Sequence, residues 1–247
     1  MTDSASNKFV AALAIIATPF ALGAFMLAWS PAEQFHMSNP KSDGYVQPRS
    51  VGDLVERTQE STVSVYCDVS KDDYAMGTAW AIELKNGMDK KNPTTLITNH
   101  HVIDACIGGK GKLTVAELWE KPVPAYIIKW DKKNDLAVLA TGLKLEPLGL
   151  SRSEPWPGYW VMVLGSADGY EGSVSFGSVL NETNKEIFIT ANISHGNSGG
   201  PLIDNEGLVI GTTSWGSKKE QYNGAKSLNA MCEQILKCDG KFYWERD

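Results

Sequence analysis

The sequence predicts an all-β protein of two six-stranded antiparallel β-barrels with a C-terminal helix, preceded by an apolar N-terminal helix. Three observations predict this class. Beyond residue 60 the apolar residues fall in short runs rich in β-branched and aromatic side chains, each bounded by Gly, Asn, Asp or Pro. The runs form two groups, separated by the break GLSRSEPWPG at Gly149 to Gly158. No helical periodicity lies between the runs, and closure into antiparallel barrels or sandwiches buries such strands without exposed edges.

The elements follow in order. After a short tail (1–8), the stretch FVAALAIIATPFALGAFMLAW from Phe9 to Trp29 holds no charge in 21 residues. At about 1.5 Å per residue this helix matches the ~30 Å hydrocarbon core of a bilayer. Pro19 is tolerated in such a span, and Trp29 stands where an interfacial aromatic is expected. The segment reads as a transmembrane anchor. Its rival is a cleaved signal peptide, for which Ser30-Pro31-Ala32 offers small residues at a cleavage point. Either way the remainder is expected outside the cytoplasm, in the periplasm or extracellular space, anchored or secreted. Lys8, Lys41 and Arg49 are too few and too distant to set the orientation.

Residues 30–50 hold three prolines and no apolar period, which makes them a linker. Val51, Leu54 and Val55 then sit at helical spacing in a short helix over residues 51–59. The first barrel is expected over about residues 60–148, from STVSVYCDV, GTAWAIEL, TTLIT, LTVAELW, AYIIKW and DLAVLA. The second, over about residues 155–230, is drawn from YWVMVLG, SVSFGSVL, EIFIT and GLVIGTTSW. In GAKSLNAMCEQILK, residues Leu228, Met231, Ile235 and Leu236 share one helical face and predict the C-terminal helix. Residues 231–247 form a C-terminal tail.

Composition excludes several functions. A net charge of −6, a pI near 5.3 and the absence of any Lys/Arg run argue against a nucleic-acid partner. GGKGKLT, at Gly108 to Thr114, is no phosphate loop, because Cys106 occupies the position of the required first glycine, and no cofactor is expected. The four cysteines Cys67, Cys106, Cys232 and Cys238 all follow the apolar segment and would pair in an oxidising compartment. Three connectivities are open. Without a C-x-x-C, no metal site is expected.

The candidate chemistry begins at Ile193 to Leu202, ISHGNSGGPL. So many glycines around one serine suit a backbone that must approach something closely, although a surface turn uses the same residues. Acyl transfer needs a nucleophilic hydroxyl, a base, a group to orient the base, and donors for the oxyanion. Ser198 supplies the hydroxyl, and the amides of Gly196 and Ser198 can converge on one point. His101, in TNHHVI at the end of the strand LIT, is the candidate base; strand alternation would send its neighbour His100 the opposite way. Asp135 opens DLAVLA, where a carboxylate is half sheltered and still ionised. Asp131 competes, but nothing apolar follows it.

The order His, Asp, Ser, carried by TNHHV, NDLAVL and GNSGGP, resembles the trypsin-like (chymotrypsin-fold) serine proteases, above all the bacterial HtrA/Deg type. The separations of 34 and 63 residues suit one barrel holding His and Asp and a second holding Ser. The resemblance covers about residues 51–230, expected to form the protease domain. It implies a serine endopeptidase acting on polypeptides through an acyl-enzyme, with His101, Asp135 and Ser198 as the triad and Gly196 and Ser198 as the oxyanion hole. It further implies that Ser214, Trp215 and Gly216 pair with substrate backbone, and that Asn192 stands near the floor of the specificity pocket. No carboxylate is there, so cleavage after Lys or Arg is not expected. The alternative is an inactive protease-fold module that holds an extended peptide.

The departures also inform. Asn197 replaces the Asp that in digestive relatives pairs with a cleaved amino terminus, so activation by such processing is not expected. With so few residues after residue 230, no PDZ domain is expected. The resemblance implies Cys67–Cys106 as a staple of the histidine loop, which leaves Cys232–Cys238 to close a small loop.

Overall fold

The computed structural model describes residues 45–70, 74–84, 91–217, 219, 222–238 and 243 of the 247. The apolar segment 9–29 lies outside the described residues, within which no helix is long and apolar enough to cross a membrane.

A helix, α1 (Val51–Glu60), opens the fold and buries Leu54 and Thr58. Its last turn is closed by side chains: Ser61 Oγ donates to Arg57 O at 3.2 Å and Thr62 Oγ1 to Thr58 O at 2.6 Å, satisfying carbonyls that the helix end leaves free. Among the described residues twelve strands follow. The first six are β1 (Thr62–Asp68), β2 (Tyr74–Ile82), β3 (Thr94–Thr98), β4 (Lys112–Glu117), β5 (Val123–Asp131) and β6 (Leu136–Thr141). The second six are β7 (Trp160–Ala167), β8 (Tyr170–Glu182), β9 (Glu186–Ile189), β10 (Pro201–Ile203), β11 (Val209–Gly216) and β12 (Asn223–Ser227). Each set closes into an antiparallel barrel, and both barrels follow the same order: β1-β2-β3-β6-β5-β4 in one and β7-β8-β9-β12-β11-β10 in the other.

Two strands of the second barrel escaped the sequence reading. β10 is only three residues long and begins with Pro201, which is tolerated where a strand starts. β12, NGAKS, contains no β-branched residue and is a strand because β9 and β11 pair with it from either side. The helix expected from Gly224 onward therefore starts only at Leu228. It comprises one α-turn (Leu228–Met231) capped by Ser227 Oγ, followed by a π-helical turn, Cys232–Leu236.

The hydrophobic core has three parts. Val63, Val65, Ala79, Leu96, Ala137 and Leu139 fill the first barrel, while Val161, Val163, Ile187, Ile189 and Leu202 fill the second. Between them Trp80, Ile97, Leu136 and Val138 of one barrel pack against Met162, Ile203 and Val209 of the other, joined by Leu54, Met231 and Ile235. This third cluster explains why DLAVLA and WVMVLG are continuous runs rather than alternating ones: a strand with both faces covered needs apolar residues at every position.

Candidate active site

The two histidines after β3 are not in a strand, as alternation had assumed, but in a single helical turn, α2 (His100–Ile103). One step around a helix separates them as effectively as a pleat. His100 is buried, with Nε2 at 3.5 Å from Asp104 Oδ1, whereas the His101 side chain is 49% exposed.

The turn from β5 to β6 distinguishes the two aspartates. Asp131 is buried and accepts from the amides of Lys133 at 3.0 Å and Asn134 at 3.2 Å, so it builds the turn. Asp135, at the turn's end, takes a left-handed φ of 51° and is held there by Asn99 Nδ2, which donates to its carbonyl at 2.8 Å. The turn is also tied to the second barrel and the C-terminal segment, since Asn134 Nδ2 donates to Glu233 Oε2 at 2.8 Å and Lys185 Nζ to Asn134 Oδ1 at 3.2 Å.

From this position the Asp135 carboxylate meets three donors: the His101 amide at 3.0 Å, the His101 ring through Nδ1 at 2.9 Å from Oδ2, and Ser214 Oγ at 2.7 Å. Burial pushes its pKa up, but the hydrogen bonds from His101 and Ser214, and the nearby imidazole, outweigh that and hold it below the usual aspartate value. An ionised carboxylate only accepts, so Nδ1 carries a proton, and in the neutral ring that leaves the lone pair on Nε2. Among the described residues that Nε2 has no hydrogen-bond partner.

Ser198 lies in the second barrel, in the loop before β10. Its Oγ donates to Ser214 O at 3.2 Å. Ser214, on β11, thus touches both barrels' contributions: its carbonyl holds Ser198 and its hydroxyl holds Asp135. The sequence reading had assigned Ser214 to substrate pairing alone, and nothing local to SWG signals the second contact.

Every carbonyl from residue 195 to 198 is engaged. His195 O accepts from Asp168 N at 2.6 Å, Gly196 O from Thr78 Oγ1 at 2.6 Å, Asn197 O from Thr213 Oγ1 at 2.6 Å, and Ser198 O from Thr78 N at 2.8 Å. Among the described residues the amides of Gly196 and Ser198 have no protein acceptor. Gly196 has a φ of 91°, and a Cβ there would stand 2.0 Å from Ser166 O, so no other residue fits. Asn197 is buried and its Oδ1 is unpartnered among the described residues. A charged Asp in its place would bury a carboxylate oxygen that has no hydrogen-bond partner among the described residues.

The sequence model of the trypsin-like peptidase domain matches residues 77–211, more than half of the chain, a stretch that includes Thr78, His101, Asp135 and Ser198 and ends just before Thr213 and Ser214. The chain belongs to the trypsin-like peptidase family. The probable periplasmic DegP-like serine endoprotease of Hahella chejuensis is 38% identical over 130 residues, which span 48% of this chain and 27% of that protein. The protein of the same description from Chlamydia muridarum is 32% identical over 127 residues, covering 47% and 25%. The chain thus matches only about a quarter of the length of these relatives. Among solved structures, the active form of the Rv3671c protease from M. tuberculosis superposes with a TM-score of 0.64 at 22% identity, over 76% of this chain and 86% of that one. The serine endoprotease from Yersinia pestis gives 0.60 at 24% identity, over 74% and 64%. These two likenesses are of fold.

In this trypsin-like domain the cysteines form Cys67–Cys106, from β1 to the 3-10 turn that follows α2, and Cys232–Cys238. Of the remaining expected site residues, Trp215 and Gly216 follow Ser214 on β11. Trp215 packs edge-on against Phe188 and Tyr222 with ring centroids 6.0 and 5.9 Å away. A Cβ on Gly216 would stand 2.8 Å from Ile193 O and 2.9 Å from Asn223 Oδ1, and Asn223 is fixed by Nδ2 donating to Ala191 O at 2.8 Å. Asn192 is exposed, and its amide donates to Ser175 Oγ at 2.8 Å.

Proposed function

We propose that the chain is a serine endopeptidase that cleaves polypeptides outside the cytoplasm, with Ser198 as nucleophile, His101 as general base and Asp135 as the group that orients it. The observation that carries this reading is the Asp135 carboxylate held by His101 Nδ1 and by the hydroxyl of the residue whose carbonyl holds Ser198. Rotation about the Ser198 Cα–Cβ bond moves Oγ from Ser214 O toward the free Nε2. As Oγ attacks the scissile carbonyl carbon, its proton passes to Nε2. The oxyanion takes the unpartnered amides of Gly196 and Ser198, and collapse expels the amine with the proton from His101. Water repeats the steps on the acyl-enzyme.

The stretch Ser214 to Gly216 pairs with the substrate backbone. Ile193 O and the Asn223 side chain stand directly against Gly216, which supports a small uncharged residue before the cut. The apolar segment 9–29 and the two disulfides support an exported, membrane-anchored or secreted protein.

A fluorophosphonate probe and a peptide library test this reading. The wild-type chain is expected to be labelled at Ser198 and to cleave after small uncharged residues, while Ser198→Ala folds normally and does neither. Equal cleavage by Ser198→Ala, or no labelling of a folded wild type, would overturn it.

A further inference from the structure

We infer that Thr78, a buried residue of the first barrel, is a positioning residue that sets the oxyanion-binding conformation of the loop in the second barrel. The inference rests on the protease reading. Thr78 lies on β2, more than a hundred residues before the loop, and is fully buried. Three of its groups act on the same few atoms. Its hydroxyl donates to Gly196 O at 2.6 Å, and the same oxygen accepts from Ser166 N at 3.1 Å. Its amide donates to Ser198 O at 2.8 Å. Its carbonyl accepts from Thr98 Oγ1 at 2.7 Å and leaves no room for a Cβ on Gly199, which would lie 2.2 Å away.

The geometry has a chemical consequence. A peptide unit is planar, so fixing a carbonyl fixes the adjoining N–H in the opposite direction. Thr78 grips the 196–197 and 198–199 peptides, which flank the unit carrying the Ser198 amide. The third grip on this stretch comes from Thr213 Oγ1, which binds the carbonyl of that middle unit. With the outer two carbonyls tied to barrel one and the middle one tied to β11, the Ser198 and Gly196 amides are left as donors without acceptors among the described residues. Donors that are already oriented need no reorganisation when charge develops on the substrate oxygen. Asp168 N performs the matching task for the 195–196 peptide through His195 O. The Thr78 hydroxyl is satisfied on both its donor and acceptor sides, so it has one rotamer in which to make these bonds.

Such a role differs from simple packing in what it changes. Losing the hydroxyl leaves Gly196 O buried without its donor and allows the 196–197 peptide to turn. The substrate's ground-state contacts, made through the Ser214 to Gly216 strand, stay as they were, so KM should hold while kcat falls. Deleting a whole oxyanion donor costs about 100- to 1,000-fold in kcat, and a donor that is present but loosely aimed should cost less, roughly 10- to 100-fold.

The test uses the full chain with Thr78→Val, which keeps shape and removes the hydroxyl, and Thr78→Ser, which keeps the hydroxyl. For Thr78→Val the expected result is kcat and the rate of fluorophosphonate labelling down by about 10- to 100-fold, with KM within about threefold of wild type. Thr78→Ser should restore both rates to within a few-fold. Thr78→Ala, smaller and without a polar atom to bury, replaces Thr78→Val if that variant does not fold, with the same loss expected. Wild-type rates in a folded Thr78→Val or Thr78→Ala, or an equal loss in Thr78→Ser, would overturn the positioning role while leaving the protease reading intact. A wild-type chain that is folded, inactive and unlabelled would remove both.

Discussion

At the scale of single residues, the site depends on which of two similar neighbours the fold selects. His100 and His101 are adjacent, yet one is buried against Asp104 and the other lies half-exposed beside Asp135. Asp131 and Asp135 close the same turn, yet only Asp135 reaches a histidine. Asp135→Asn tests this selection. An amide can donate to Nδ1 and so stabilise the wrong tautomer, and kcat should drop by about 10⁴-fold with KM nearly unchanged. The pH dependence of stability has a definite sign. Because the folded pKa of Asp135 lies below the ordinary 3.8, its stabilising contribution is complete above that value and is lost as the pH falls through the folded pKa. Denaturant titrations should therefore show the stability gap between wild type and Asp135→Asn narrowing on acidification below about pH 4; a gap constant down to pH 2 would contradict the depressed pKa.

At the scale of elements, short irregular pieces position His101, Asp135 and Ser198 while the strands supply the frame. The 3-10 turn that directly follows the one-turn α2 is stapled to β1 by Cys67–Cys106, whose cysteines are 39 residues apart, whereas Cys232–Cys238 closes a loop of separation 6. Chain entropy makes the long staple worth about 4 kcal/mol and the short one about 2. Replacing Cys67 and Cys106 together with Ala should lower the melting midpoint by about 10 °C, more than the Cys232/Cys238 pair does. Calorimetry on both double variants checks the order, and activity should fall further in the first because α2 carries His101. The elements that the sequence concealed share one property. β10 and β12 have weak intrinsic preference and exist through their neighbours, with β11 pairing to both.

At the scale of the whole molecule, the apolar layer between the barrels holds the two halves of the site in register. Trp80 is its central side chain: fully buried, it points out of the first barrel, and its Nε1–H donates to Thr212 Oγ1 of β11 at 3.2 Å. Trp80→Ala should cost about 3–5 kcal/mol, measured by denaturant unfolding, with a larger proportional loss of activity than of secondary structure. Wild-type activity in that variant would mean that the barrels keep their register without this contact.

The sequence by itself determined the strand-rich character, the division near residue 150, the continuous apolar runs of doubly buried strands, and a Gly-rich turn around Ser198. These are legible because they depend on periodicity and on backbone freedom, both properties of a few consecutive residues. The contact of His101 with Asp135, the double contact of Ser214 and the grip of Thr78 on the loop at 196–198 were decided only by tertiary structure. The hydrogen bonds concerned join residues 34 apart for His101 with Asp135, 16 and 79 apart for Ser214, and 118 apart for Thr78 with Gly196. Such contacts follow from how two closed barrels pack, which no local pattern encodes.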